Sequence, residues 1–487
     1  MTVTNAEYTA WLDNPSAVRC ILVECVARIS GVETTLYLSS KTYEDTVASR
    51  VYLPRVIGNS VNITERISLE GDGSISFGDV EFENNDGALD DYLDYVWTNR
   101  VIAAYIGDVT WLRADFRTIF NGITENLDSK SNRTLNVKVR DKLEQLNNPI
   151  TDNKLGGTTP NKDKIVPLTF GEVHNITPLL TNPATLEYQV HDGSNEDIIE
   201  VRDNGVPVSY NLDWPNGKFT LNATPAGTVT CSAQGYWPST YLTTAADIIE
   251  NIVTSWGEAS TRFTSGDIDA SNFSTFNAAN PQILGVHINS KENVLRICND
   301  LADSVGGQMS MSRAGLLQLL KISLPPASTV MDITKDDIVS KTITIIERPN
   351  VEGAVKVGYA KNWTIQKNLQ TGIPPEHKDM FAREWFTEEQ EDASVKTIYK
   401  LSGEPEQVDT YLIEEADASA EATRRLNIKK TQRTIYAFRG KPRLSELELN
   451  QGITITHPRF NLSSTDATVT AITINWGNLI VDLEILI

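Results

Sequence analysis

Residues 61–83 have the sequence VNITERISLEGDGSISFGDVEFE, in which apolar and polar residues alternate. Six apolar side chains lie between Ser, Asp, Glu and Gly: Ile67, Leu69, Ile75, Phe77, Val80 and Phe82. Such alternation is typical of strands that bury one face. The stretch therefore predicts a meander of half-buried strands and favours a mainly β fold.

The β pattern continues to about residue 150. Asp86 lies in a strand-breaking stretch at residues 84–87 and is well placed to cap a short helix. The apolar side of that helix would carry Leu89, Leu93 and Trp97. Further strands are predicted at residues 101–106, 114–123 and 134–139 and, in the last third of the chain, at residues 434–438, 447–449, 453–456 and 469–476.

Changes of pattern along the chain predict four domains. Residues 147–164 are rich in Asn, Thr, Gly, Lys and Pro, which indicates a loop and a boundary near residue 150. Residues 165–240 show short strands separated by turn sequences such as Asp192-Gly193 and Asn204-Gly205. The predicted domains are an N-terminal β domain (1–150), a small all-β inserted domain (151–243), an α+β domain (244–325) and a C-terminal β domain with an Ala-rich helix (326–487).

Three longer helices are predicted after residue 243. The first begins at Thr244, which forms a capping pair with Asp247, and stops at Gly257. The second covers residues 291–305, is capped by Ser290, and precedes a hairpin at residues 313–315. The third, residues 414–430, has an acidic start and a basic end that suit the helix dipole.

The composition argues against several classes of protein. The chain has 487 residues, with 64 acidic and 43 basic side chains and a net charge of −21. This charge argues against a nucleic-acid reader, because affinity for phosphate backbones comes from clustered Lys and Arg. Four cysteines are too few for a disulfide framework, and no export signal or membrane-length apolar run is visible. Stable membrane insertion is therefore not expected.

The sequence carries no motif that would indicate an enzyme or a metal site. Nothing matches HExxH, GxSxG, GxxxxGK[ST] or GxGxxG, and the five histidines show no metal-ligand spacing. Asn216-Gly217-Lys218 is followed by Phe219, so it predicts a hairpin turn instead of a phosphate loop. No catalytic, cofactor-binding or metal-binding residue is assigned.

One acidic run could supply a cation site or a carboxylate pair. Its members are Asp79, Glu81, Glu83, Asp86, Asp90, Asp91 and Asp94. The run lacks the fixed spacing of an EF-hand loop, and a solvated strand face explains it better. A glycosidase pair stays open, because the separation of two carboxylates is a three-dimensional quantity.

Aromatic residues of the small β domain hint at sugar binding. Trp214, Tyr236 and Trp237 could stack on sugars, although core packing is the favoured interpretation. His191-Asp192 has the residue types of a catalytic pair, but no Ser or Cys nucleophile signature accompanies it. We interpret His191-Asp192 as a turn.

Three stretches resemble phage tail proteins. Residues 292–322, ENVLRICNDLADSVGGQMSMSRAGLLQLLKI, resemble a tail-tip segment with a helix, a Gly-Gly stop and a hairpin with Arg-x-Gly at its turn. The C-terminal EADASAEATRRLNIKKTQRTIYAF, GITITHPRFNL and VTAITINWGNLIVDLEIL resemble the closing barrel of the tail hub family. The middle YNLDWPNGKFTLNATPAGTVTCSAQG is similar to β modules of the same proteins.

The resemblance implies a structural virion protein, the baseplate or tail-tip hub of a tailed bacteriophage, assembled in the host cytoplasm. It implies two tail-tube-like β-barrel domains that flank a small β domain and an α+β domain. Such a hub is a homotrimer that closes the tail tube, anchors fibres or a spike, contacts tube ring proteins and the tape measure protein, and opens for DNA ejection. It needs no cofactor, and the chain shows no fused lytic sequence.

Two further arguments fit a hub. Three copies of a chain with two barrels would form a pseudo-sixfold ring that matches a hexameric tube. With −21 charges per chain, an acidic lumen would repel DNA phosphates and let the genome slide.

Three alternatives stay open. A β-rich glycoside hydrolase or esterase would require acidic residues that converge in a cleft. A lectin-like adhesin would require glycan binding by residues 165–240. A bacterial contractile injection-system hub would be mechanically similar without being viral.

Overall fold

The structure is a computed structural model that describes residues 2–69, 74–367, 369 and 372–487. The first elements are α1 (Asn5–Leu12), β1 (Arg19–Ile29), β2 (Val32–Ser39), β3 (Tyr43–Asp45), β4 (Arg50–Pro54), β5 (Asn62–Arg66), β6 (Ser74–Phe77), β7 (Val80–Glu83), β8 (Val101–Asp108), β9 (Arg117–Ser131) and β10 (Thr134–Arg140).

The middle elements are β11 (Leu168–Ile176), β12 (Leu179–Asn182), β13 (Glu187–Gln189), β14 (Asn195–Asp203), β15 (Val206–Pro207), β16 (Tyr210–Asp213), β17 (Lys218–Leu221), β18 (Val229–Tyr236), α2 (Ala245–Ser255), α3 (Ala270–Ala279), β19 (Gly285–Ile288) and α4 (Val294–Ser304). The last are β20 (Gln308–Met311), β21 (Leu317–Leu320), β22 (Met331–Thr334), β23 (Thr344–Glu347), β24 (Ala354–Tyr359), α5 (Pro375–Ala382), β25 (Phe386–Glu391), α6 (Ala393–Tyr399), β26 (Gln407–Asp409), α7 (Glu415–Lys429), β27 (Ile435–Gly440), β28 (Gly452–His457), β29 (Leu462–Asn475) and β30 (Ile480–Leu486).

These elements form two compact units, each assembled from distant parts of the sequence. The first unit contains Met1–Gln145, Gln308–Pro349 and Arg433–Ile487, and the second contains Leu146–Gly307 and Asn350–Gln432. The mainly β, multidomain class predicted from the sequence is confirmed. The finer division into four domains stays a prediction.

The first unit contains an eight-stranded sheet in the order β3-β4-β2-β1-β8-β9-β10-β7. All of its pairs are antiparallel except β2–β4. Central strand β1 is covered on both faces, since Ile21 and Val23 face one buried cluster while Cys20 and Leu22 face another. Burial on both sides explains why β1 is apolar along most of its length instead of alternating.

A second sheet of the same unit has the order β22-β28-β29-β30-β27-β23, and β5 and β6 join it through β29. The predicted meander is therefore shared between two sheets. Its strand β5 pairs with β29, with Ile63 opposite Ile474, whereas its strand β7 pairs with β10 of the first sheet. Residues 70–73 of the predicted meander, and the side chains of Ile75 and Phe77, lie outside the described residues.

Both sheets of the first unit curl in the same manner. In the first, β4 runs parallel to β2, and Val56 just after β4 bridges to Phe82 on β7. In the second, β22 runs parallel to β28, and Ile338 just after β22 bridges to Gly440 on β27. In each sheet, the segment after the parallel strand therefore meets a strand at or next to the opposite end of the sheet through one isolated bridge. Within the described residues neither sheet closes into the continuous barrel that was predicted. A single bridged residue pair at each junction stands in place of the run of paired residues that a closed barrel needs. Buried side chains of both sheets belong to one apolar core.

The second unit is built from smaller sheets and most of the helices. Its sheets have the orders β15-β14-β18-β11-β19, β12-β13-β17-β16 and β25-β24-β26. Helix α2 packs against α3 and α4, and α7 packs against β24 and β25. No helix of the described residues is both long enough and apolar enough to cross a bilayer.

The three longer predicted helices are present as α2, α4 and α7. Thr244 caps α2 and accepts a hydrogen bond from the Asp247 amide, as predicted. Helix α4 starts later than predicted, because Asn293 instead of Ser290 supplies the cap.

Two local predictions are wrong. The short helix after Asp86 is a 3-10 turn over Asp90–Asp94, and Leu93 is 60% exposed instead of facing the core. Residues 447–449 form no strand, because a 3-10 helix at Pro442–Glu446 ends directly before them.

Candidate functional site

The acidic run of residues 79–94 lies beside basic side chains of the first unit. Asp79 and Glu81 place carboxylate oxygens 2.8 and 3.1 Å from Lys130 Nζ. Asp86 accepts two hydrogen bonds from the Arg55 guanidinium, at 3.0 and 2.7 Å, which lower the pKa of Asp86 to about 2. Within the described residues no three His, Cys, Asp or Glu side chains group in a way that could hold a metal ion.

His191 lies buried in the bend between β13 and β14, so the predicted turn is present. Its Nδ1 accepts a hydrogen bond of 2.9 Å from the Thr169 amide, while Thr169 Oγ1 lies 2.9 Å from Nδ1 of the buried His287. Burial lowers the pKa of both imidazoles to about 3. The neighbouring Asp192 carboxylate is bound by Asn153 Nδ2 at 2.7 Å. His191 is therefore a neutral core residue.

The three aromatic residues singled out in the small β domain have different environments. Tyr236 stacks on His191 with ring centroids 4.8 Å apart and also contacts Phe170. Trp214 is 44% exposed and meets Trp237 edge to face at 5.2 Å. Only the two tryptophans form a surface feature.

The Arg-x-Gly turn between β20 and β21 lies deep in the first unit. The Arg313 guanidinium donates to both carboxylate oxygens of Glu65, at 2.8 and 2.9 Å. It also donates to the carbonyls of Ser445 and Leu447, at 2.6 and 2.9 Å. Both charged side chains are almost fully buried, with 12% and 7% of their surface exposed. Arg313 thus fixes the hairpin to the second sheet.

The same turn also contacts the first sheet. Asn121 of β9 donates to the Ala314 carbonyl at 3.3 Å, and Lys142 Nζ lies 3.2 Å from the Gly315 carbonyl. One tight turn therefore connects the two sheets of the first unit. The sequence indicates the turn itself but gives no sign of Glu65, which lies 248 positions before Arg313.

Gly315 provides a direct test of this turn. Its φ is +76°, and a Cβ at this position would lie 2.9 Å from the Cβ and carbonyl oxygen of Asn121. We expect Gly315→Ala to lower the free energy of unfolding by about 2–3 kcal/mol, because backbone strain adds to the contact. Urea denaturation followed by circular dichroism measures this loss.

Gly31→Ala is the matched control, because Gly31 has φ +88° and a Cβ at this position would meet no atom within 4 Å. This control should cost only about 1 kcal/mol of backbone strain. Equal losses in the two variants would contradict a tightly packed turn.

Two strands of the first unit, one flanked by neighbours and one at a sheet edge, expose apolar side chains. On β4, Val51 and Leu53 are 61% and 45% exposed. They lie two positions apart, on the same face of the strand, and Leu53 is opposite the buried Leu38 of β2. The apolar face of the first sheet therefore extends beyond the part that the core covers.

The second strand with exposed apolar side chains is β23, at the edge of its sheet. It pairs with β27 alone, so its other edge has no strand partner among the described residues. A register shift at Ile345–Glu347 disturbs the alternation, and Ile345 and Ile346 are 43% and 49% exposed. Apolar edge strands of this kind favour pairing with another chain.

Several solved structures are similar to this chain. A 43 kDa tail protein of prophage MuSo2 from Shewanella oneidensis shares 10% identity over 96% of this chain and 98% of that chain, with a TM-score of 0.40. A prophage tail protein from Listeria monocytogenes shares 9% identity over 96% of this chain and 94% of that chain, with a TM-score of 0.42.

A chain in the virion of a native gene transfer agent particle shares 11% identity over 71% of this chain and 91% of that chain, with a TM-score of 0.46. No protein-family model matches the sequence. No curated protein matches it either.

Proposed function

We propose that this chain is a structural virion protein, the hub that closes the tail tube at the tip or baseplate of a tailed phage. The observation that carries the proposal is the pair of curled sheets in the first unit. Each has a parallel strand at or next to one end of the sheet, and the segment after that strand forms a single bridge to a strand at or next to the other end. With two such sheets in each chain, a ring of three chains would contain six similar sheets. Such a ring would match the sixfold symmetry of a hexameric tube.

The exposed apolar side chains of β4 and β23 supply the contacts for such a ring. In a homotrimer, β4 of one copy and β23 of another could cover each other, which would remove exposed Val and Ile surface from water. The proposed partners are the tube ring proteins, the tape measure protein and fibres or a spike. The proposed four domains assign the tube-like parts to residues 1–150 and 326–487.

The net charge of −21 per chain supports passage of DNA through the ring. Fixed negative charge at the lumen would keep the phosphate backbone from adhering. In this proposal the protein has no enzymatic role, and DNA contacts it without specific recognition.

Solution mass tests the assembly. We expect light scattering of the full chain to give about three times the protomer mass of 53.9 kDa. Ile345→Lys combined with Ile346→Lys should yield monomers, because two buried ammonium groups would oppose the contact. Ile398→Lys, at a side chain that is 72% exposed in the second unit, is the control and should leave the trimer intact. A stable monomer of the unmodified chain would contradict the proposal.

A further inference from the structure

Trp214 and Trp237 form an aromatic corner on the second unit. Their rings meet at 77° with centroids 5.2 Å apart, so one indole stands almost perpendicular to the other. Trp214 keeps 44% of its surface exposed, and Trp237 is half-buried. The two indoles together form a small aromatic surface with two differently oriented faces, and aromatic rings of this kind pack against the apolar part of a ligand.

The backbone holds this corner rigidly. The Trp237 amide donates to the Ser194 carbonyl at 3.2 Å, and Ser194 Oγ donates back to the Trp237 carbonyl at 2.7 Å. Gly217, which ends the turn that carries Trp214, accepts a hydrogen bond from the Val190 amide at 2.9 Å. A Cβ on Gly217 would clash with the Gly193 carbonyl oxygen. The turn that carries Trp214 is therefore in direct contact with the bend at residues 190–193. A ligand would meet a corner that is already formed.

Polar side chains flank the corner. Asn216 Nδ2 donates to both carboxylate oxygens of Asp213, each at 3.0 Å, and this pair lies on either side of Trp214 in the sequence. Asp192, on the bend that touches Gly217, accepts from Asn153. Carboxylate and amide groups around an aromatic surface can bind several hydroxyl groups and so fix the orientation of a ligand.

We propose that this corner binds an N-acetylhexosamine unit of a cell-surface polysaccharide. The face of one of the two indoles stacks against the C–H face of the pyranose ring. The other indole, perpendicular to the first, packs against the acetamido methyl group. The Asp213 carboxylate accepts hydrogen bonds from the ring hydroxyls, and the Asn216 amide donates hydrogen bonds to them. Tyr236, which the sequence grouped with the two tryptophans, has no part in this site because its ring stacks on His191. The site is independent of the proposed hub assembly.

Ligand-observed NMR on the full chain with chitotetraose tests the site. We expect saturation transfer to the acetamido methyl protons and a Kd of about 1 mM, typical of a small exposed site. Maltotetraose, which lacks acetamido groups, should bind at least fivefold more weakly. Trp214→Ala should weaken chitotetraose binding at least fivefold.

Leu212→Ala is the matched control, since Leu212 is 40% exposed on the neighbouring strand β16 and should leave binding unchanged. Circular dichroism spectra that match those of the unmodified chain would show that each variant is folded. Absence of saturation transfer, equal affinity for the two oligosaccharides, or full binding by the folded Trp214→Ala variant would each overturn the proposal.

Discussion

Replacing Glu65 with alanine is expected to lower the free energy of unfolding of the first unit by about 3–5 kcal/mol. The reason is that Arg313 would keep its charge inside the protein after losing the carboxylate that binds it in two places. The carbonyls of Ser445 and Leu447 would still accept hydrogen bonds, but they carry no compensating charge. Urea denaturation followed by circular dichroism measures the change.

Asp482→Ala is the matched control for Glu65→Ala. Asp482 binds Arg439 with the same two-point geometry, at 2.8 and 3.0 Å, but about half of each side chain is exposed. Water replaces a lost partner at such a site, so the expected loss is below about 1 kcal/mol.

The double variant Glu65→Leu with Arg313→Met should recover most of the stability, because apolar groups of similar size leave no buried charge. Similar losses for Glu65→Ala and Asp482→Ala would show that the buried pair adds little beyond an ordinary surface pair.

The helices were predictable because their signals are local. The spacing of Ile248, Ile249, Ile252 and Val253 marks one face of α2, and each of these side chains is buried. Capping residues lie within three positions of the groups they bind, so sequence alone can indicate them. Helix α4 shows that such local signals do not always fix where a helix begins. Both Ser290 and Asn293 are good caps, and only the packed structure selects Asn293.

Strand pairing was not predictable to the same degree. Alternation within residues 61–83 correctly indicates strands, but nothing in it shows that β5 pairs with β29, about 400 positions later, whereas β7 pairs with β10. A period of two specifies which side chains face a core and leaves the partner strand undetermined. The bridges of Val56 and Ile338, which decide how far each sheet closes, are equally invisible in sequence.

The candidate surfaces were predictable only in part. Sequence indicated Trp214 and Trp237 as residues that could meet a ligand, but it grouped Tyr236 with them because residue type does not show that the Tyr236 ring stacks on His191. The sequence did not indicate the exposed apolar surface at Ile345 and Ile346. In a regular strand adjacent side chains face opposite sides, so one of the two would be expected to be buried. The exposure of both results from the register shift beside Glu347, which depends on the partner strand.

Acidification is expected to destabilise the second unit through His191 and His287. Both imidazoles are buried, and burial lowers their pKa from 6.5 to about 3. The unfolded chain therefore binds protons at a higher pH than the folded chain does. Stability is complete above pH 6.5 and falls as the pH drops from 6.5 towards 3. At about pH 4.5 each histidine should cost about 2 kcal/mol.

The test is urea denaturation at about pH 7 and about pH 4.5, for the full chain and for His191→Gln combined with His287→Gln. Glutamine offers an acceptor to the Thr169 amide and hydroxyl without titrating, so the double variant should lose about 4 kcal/mol less on acidification. His377→Gln, at an exposed histidine of the same unit, is the control and should behave like the unmodified chain.

A double variant that loses as much stability as the unmodified chain would show that the two imidazoles do not cause the loss of stability on acidification. Carboxylates of this unit act at lower pH, because Glu172 and Glu187 have lowered pKa values, through hydrogen bonds from His174 and Thr181 respectively. Those carboxylates lose stability only as the pH falls below 4.5, the ordinary pKa of a Glu carboxyl, whereas the buried imidazoles begin to do so near pH 6.5. The onset of the loss on acidification therefore separates the two kinds of group.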